Sequence, residues 1–376
     1  MYLTIFMTMK GVKGRGECAF FYTMEDDSDP PQEPQPKAQD EKDYSHLTHE
    51  QLSRLASKLE KENRRLKSRL ADHEPFKQKI LKPSNEAKMK RLFEKFEVRK
   101  YALKVCYIGA NYDGMSCQNP NDNSVEEYIF KVMHAMSLVP RAYPADPSFT
   151  RAGRTDKGVS AMGNVIALNL RTNIPKGEGV DHDVKEMEYC KMLNNLLPDD
   201  IRMVGCEAVA PDFNARYWCK SRKYKYFFAR GCLDLEAMDV AVRHFEGTHN
   251  FINYCKMNLS NTVNFTRTIH SASIERAPCQ PPLAATDPRH EVYYFYFIGN
   301  SFLWHQIRNM SAVLFLVGSH REEPGLVRDL LSIEKYPRKP NYHMAADYPL
   351  ILEDCLYDGL EWRHTDPAVI TSFSHW

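Results

Sequence analysis

Apolar and polar positions alternate along the chain in two periods, and the switches between them predict the elements. Residues 98–108 carry strand patterning. Residues 124–139 shift to the helical period, with Ser124 as N-cap and Glu127 three residues on to close a capping box. Segments 149–154 and 162–171 return to strand patterning, the second nearly continuous in apolar residues. Residues 186–197 are helical and stop at Pro198, which cannot supply the next helix hydrogen bond. Residues 200–209 form a strand. The order strand–helix–strand–strand–helix–strand is that of a ferredoxin-like unit.

The second half repeats the theme. Strands are predicted over 222–229, 269–276, 291–298 and 350–357, and helices over 234–245, 304–317 and 324–332. The expectation is an α+β fold of two ferredoxin-like (RRM-like) halves, 98–215 and 216–362. Their mainly antiparallel sheets would flank a central cleft.

The ends of the chain look different. Residues 1–43 include an acidic, Pro-rich stretch and few core formers, the composition of a disordered tail. In 44–75, Leu52, Leu59 and Leu66 recur every seven residues, with Ala56, Asn63 and Leu70 four residues after each. That spacing fits a short coiled coil, and it equally fits one amphipathic helix lying on its own domain. Residues 76–97 read as a basic helical linker, suited to RNA phosphates or to plain solvation. Residues 363–376 are a tail.

Composition narrows the class. Hydrophobic residues make up 43% of the 376, enough for a substantial core. A formal net charge of +1 means that any nucleic-acid surface must be local. The ten cysteines include no C-x-x-C pair and sit among apolar neighbours, which points to buried thiols in a reducing compartment. No metal-ligand spacing stands out. No apolar run approaches the roughly 20 residues needed to span a bilayer, and basic residues follow the apolar first nine residues rather than precede them, unlike a signal peptide.

Chemistry concentrates in R-A-G-R-T-D-K-G-V-S-A, residues 151–161. Arg154 and Asp156 are one residue apart, so an extended backbone would put both on one face, where the guanidinium would keep the carboxylate ionised. Gly153 and Gly158 permit sharp turns. An ionised, oriented carboxylate can act as a nucleophile. A bare R-x-D is ordinarily a surface ion pair, and the whole string between two strands is what raises it above that.

The string resembles the signature of TruA-type pseudouridine synthases, G-R-T-D-x-G-V-H/S-A, without departure at its core positions. The resemblance extends over roughly 98–362 through F-N-A-R (213–216), S-R-K-Y-K-Y (221–226), G-T-H-N-F (247–251), F-L-W-H-Q-I-R-N-M (302–310) and Y-P-L-I-L (348–352). It implies an isomerase that turns uridine into pseudouridine in tRNA, with no metal or organic cofactor. It implies Asp156 as the essential residue and Arg308 as its ion-pair partner. Tyr224, rather than the core Tyr226, would meet the flipped base, and Leu350 would line the uracil pocket. Lys157, Arg216, Lys220 and Arg222 are candidate RNA contacts, each equally suited to solvent. The serine in G-V-S-A and the heptads resemble the eukaryotic branch acting on nucleotides 38 and 39 of the anticodon arm. The relative acting on positions 27 and 28, or on small nuclear RNA, more often has Ala where Gly153 stands. The resemblance further implies a homodimer in cytoplasm and nucleus, without membrane attachment. A non-catalytic RNA-binding protein of this fold and an interaction protein acting through the heptads are the readings from other classes.

Overall fold

Ser124 caps the helix that its position predicts, accepting from the Glu127 N–H at 3.4 Å. The reciprocal half of the capping box is absent. Glu127 turns instead to Lys131 at 2.6 Å, and the Ser124 N–H donates to Asp122 at 3.3 Å. A cation one turn along offers the Glu127 carboxylate a charged partner where the box offers a neutral amide.

The structure, a computed structural model, describes residues 86–119, 122–142, 147–177, 186–257 and 264–362. The predicted acidic tail, the heptads, residues 76–85 of the basic linker and the C-terminal tail lie outside the described residues. In chain order the first half contains α1 (Glu86–Lys95), β1 (Phe96–Tyr107), α2 (Val125–Ala135), β2 (Thr150–Arg151), β3 (Ser160–Pro175), α3 (Tyr189–Asn194) and β4 (Ile201–Ala208). The second half contains β5 (Ser221–Ala229), α4 (Leu235–Arg243), β6 (Gly247–Asn250), β7 (Thr266–Arg276), β8 (Val292–Gly299), α5 (Gln306–Gly318), α6 (Gly325–Leu331) and β9 (Leu350–Leu356).

The strands pair in the order β4-β1-β3-β9-β5-β8-β7-β6, with β2 added on β3. The result is a mixed α+β fold on one large sheet in place of the two expected. The last strand makes the join. It pairs antiparallel with β5 from Ser221↔Leu356 to Tyr226↔Leu350, and parallel with β3 at Ser160↔Ile351 and Ala161↔Leu352. Without β9, β3 and β5 would each expose a row of backbone donors and acceptors at this seam. The four-residue β6 was not predicted, because G-T-H-N carries no apolar alternation.

The core of the second half is α5 against the sheet. Met310, Val313, Leu314 and Val317 are buried with Tyr226, Phe228, Phe295 and Phe297. Each such side chain contributes about 1.5–3 kcal/mol of burial. The packing fixes where α5 begins, and α5 begins at the seam.

Candidate active site

β2 is short because Asn164 takes over its hydrogen bonding. The ladder runs through Thr150↔Ala167 and Arg151↔Ile166, and the Ala152 N–H donates to Val165 at 2.8 Å. At Gly153 the fully buried Asn164 side chain replaces the backbone partner: Oδ1 accepts from the Gly153 N–H at 3.1 Å, and Nδ2 donates to the Gly153 carbonyl at 3.0 Å. Two residues on, Thr155 shares a 2.7 Å hydrogen bond with the buried Tyr107 hydroxyl. The chain then turns, with the Val159 N–H donating to the Asp156 carbonyl at 3.2 Å and Gly158 at φ +78°. A Cβ at Gly158 would lie 2.9 Å from the Asp347 carboxyl carbon, so glycine is required twice over.

This loop delivers Asp156 to the start of α5. Its Oδ1 accepts the indole N–H of Trp304 at 3.1 Å, and its Oδ2 lies 3.6 Å from Nε2 of His305. The carboxylate keeps 24% of its surface exposed. Burial pushes its pKa above the usual aspartate range. The Arg308 charge, the Trp304 hydrogen bond and the Lys256 charge oppose that rise, while Asp347 adds to it.

The guanidinium near Asp156 is therefore Arg308, held by an Nε hydrogen bond to the Ala345 carbonyl at 2.7 Å. Among the described residues it makes no ion pair with Asp156 within 4 Å, so it acts as a nearby charge rather than a direct partner. Arg154 does not share the face of Asp156. It is exposed, and its charge acts on Glu126 and Arg151. The same-face expectation required an extended strand, and the chain has already left the sheet at Gly153.

Tyr224 lies near Asp156 and has no hydrogen bond to its hydroxyl among the described residues. Burial above all pushes its phenol pKa upward, and the Asp156 charge is the least of the causes that add to the rise. Its ring meets Phe302 edge-on at 5.1 Å. Tyr226 is in the core, donating to the Ala346 carbonyl at 3.1 Å. Leu350 is buried opposite Tyr226, and Leu352 stands opposite Tyr224 and packs against Gly153.

The expected RNA contacts separate. Lys157 and Lys220 are exposed and paired with Asp113 at 3.1 Å and Asp358 at 3.0 Å. Arg216 is exposed over the Tyr217 ring. Arg222 is buried, and its guanidinium donates to the carbonyls of Ala152, Arg216 and Asn300. It ties the Asp156 loop to β5, and four of its five N–H donors are spent on carbonyls. Sequence reasoning missed Asn164, Lys256, Trp304 and His305. Only the family-like string at 302–310 signalled the last two.

Among the described residues, no cluster of three or more His, Cys, Asp or Glu is arranged to hold a metal, and no helix is long and apolar enough to cross a membrane. An oriented carboxylate with one edge open to solvent can attack an electrophilic carbon or accept a proton.

The model of a tRNA pseudouridine synthase family matches residues 241–358. The tRNA pseudouridine(38/39) synthase of Bos taurus is 38% identical over 335 residues, covering 86% of this chain and 69% of the relative. The protein of the same name in Homo sapiens is 37% identical, covering 87% and 70%, and that of Saccharomyces cerevisiae is 39% identical, covering 87% and 74%. Among solved structures, an archaeal box H/ACA Nop10–Cbf5 complex shows only a distant likeness, with a TM-score of 0.26 at 11% identity over 57% of this chain and 43% of that chain.

Proposed function

The chain belongs to the tRNA pseudouridine synthase family, and on that premise we propose that it converts uridine to pseudouridine at positions 38 and 39 of the tRNA anticodon arm, with Asp156 as the reacting carboxylate. The enzyme is an isomerase. The bond from ribose C1′ to N1 of uracil breaks, the base turns, and C1′ bonds to C5. The hydrogen on C5 leaves and N1 gains one, so atoms balance without an oxidant or second substrate.

The observation that carries the reading is the Asp156 carboxylate itself. It is ordered by Trp304 and by a loop tied at Gly153 and Thr155, and is partly open to solvent. A uridine stacked in a helix could not reach it, so the base must be flipped out. Tyr224 offers an aromatic ring near Asp156, Leu350 belongs to the apolar core that Tyr224 packs against, and Arg308 brings positive charge. On the outside, Arg216, Tyr217, Trp218 and Lys220 form an exposed basic and aromatic run suited to phosphates and unstacked bases.

The strand orders β4-β1-β3-β2 and β9-β5-β8-β7 support reading the two halves as ferredoxin-like units fused through β9. We read the heptads as a dimerisation segment, and a monomer in sedimentation of the full chain would end that part.

The test is pseudouridine mapping in tRNA carrying uridine at 38 and 39, treated with the wild type or with Asp156→Ala. The expected result is product from the wild type, and from the variant tRNA binding without product. Product from the variant would overturn the assignment of Asp156.

A further inference from the structure

Trp304 is the side chain that hydrogen-bonds Asp156, yet 48% of its surface is exposed, so core packing does not explain it. Two side chains contact its ring. The Lys256 ammonium lies 4.8 Å from its centroid, and the His305 ring is 4.8 Å away. The Lys256 N–H also donates to the Trp304 carbonyl at 3.0 Å. His305 adopts φ 62°, the left-handed region that a non-glycine residue enters at a cost. His305 is the N-cap of α5, and at this turn both Trp304 and His305 meet the carboxylate. Strain, cation–π contact and hydrogen bond converge on one group.

We propose that Trp304 is a positioning residue of the isomerisation, its indole N–H fixing Oδ1 and therefore the plane of the Asp156 carboxylate. The inference rests on the reading of Asp156 as the reacting carboxylate. Attack on ribose C1′, addition to the base and removal of a ribose proton all need that group ionised. Burial works against ionisation, and the donated N–H works for it, because a hydrogen bond to the charged form favours that form. Losing the N–H raises the proton affinity of Asp156, so the acid limb of kcat moves to higher pH.

The experiment is the pH profile of kcat and KM for the full chain on tRNA, comparing wild type, Trp304→Phe and Asp156→Ala. Phenylalanine keeps an aromatic ring for Lys256 and removes the donor with the five-membered part of the indole. The expected result is an acid limb displaced upward by about one pH unit, with kcat reduced several-fold below the limb, largely recovered above it, and KM little changed. A Trp304→Phe limb that coincides with wild type, while Asp156→Ala is inactive, overturns the role of Trp304 and leaves Asp156 in place. A uniform loss of kcat at every pH also overturns it, since that is the mark of a merely structural residue. Activity in Asp156→Ala overturns the reading of Asp156 and the inference with it.

Discussion

The side-chain amide of Asn164 pairs with both backbone polar groups of Gly153, as a neighbouring strand would. The Asn164 Oδ1 also accepts from the Val165 N–H at 2.9 Å, and its Nδ2 approaches the Tyr107 hydroxyl at 3.4 Å. One buried amide thus ends the β2–β3 ladder and starts the loop that carries Asp156 three residues later. The sheet's rigidity is passed to the carboxylate through a side chain.

Asn164→Ala should therefore lower kcat far more than it raises KM. It strands the Gly153 N–H and carbonyl, each costing about 1–3 kcal/mol when buried without a partner. A loop displaced by about 1 Å costs on the order of 10²-fold in rate. Steady-state kinetics on tRNA together with urea unfolding check this. Wild-type kcat in a destabilised variant would show that Asn164 serves stability alone.

Gly158→Ala tests the turn after Asp156. The added methyl meets the Asp347 carboxylate, and the residue must hold φ +78°. The expected result is a loss of about 1 kcal/mol from the backbone alone, with a fall in kcat as the turn and Asp347 shift. Thermal unfolding and single-turnover rates on saturating tRNA measure the two parts, and an unchanged rate would mean the loop absorbs the methyl elsewhere.

Much of this fold is visible in periodicity. The strand predicted over 269–276 sits inside β7, and that over 291–298 lies within one residue of β8, since inward and outward residues alternate there. The site is legible only where a local rule applies. Gly158 is one such case, because a glycine after T-D-K signals a turn. Trp304 is not, because 148 residues separate it from Asp156 and only the folded chain brings them together. Arg154 misleads for the opposite reason: its spacing from Asp156 implies a shared face only while the backbone stays extended. Arg222 misleads because a lysine- and arginine-rich strand looks solvent-facing until a carbonyl cluster claims one guanidinium.

Arg222 and Lys220 should respond oppositely to substitution. Arg222→Lys leaves carbonyls of Ala152, Arg216 or Asn300 without a donor, and should cost about 2–3 kcal/mol of stability with no change in the salt dependence of tRNA binding. Lys220→Ala should leave stability within about 0.5 kcal/mol and reduce the slope of log affinity against log salt by about 0.7–0.9. Filter binding at several salt concentrations, with unfolding curves, separates them. A reduced salt slope in Arg222→Lys would return Arg222 to the RNA surface.

Stability should fall as pH rises from about 4.5 to about 7 through one buried pair. The Glu126 side chain is fully buried, 2.6 Å from Nε of Arg151, and accepts the Cys117 N–H at 3.0 Å. Burial nonetheless pushes its pKa up from 4.5 to about 7, outweighing Arg151, whose own pKa burial pulls down. Below about 4.5 the carboxyl is protonated in both folded and unfolded chains, and its contribution is complete. Between the two values the unfolded chain releases the proton and the folded chain retains it, so stability drops with rising pH, by at most about 3 kcal/mol. Above about 7 the contribution is flat. Glu126→Gln cannot titrate, so unfolding free energies at pH 5 and pH 8 should differ less in the variant than in the wild type. Equal differences in the two proteins would show that Arg151 keeps Glu126 ionised throughout.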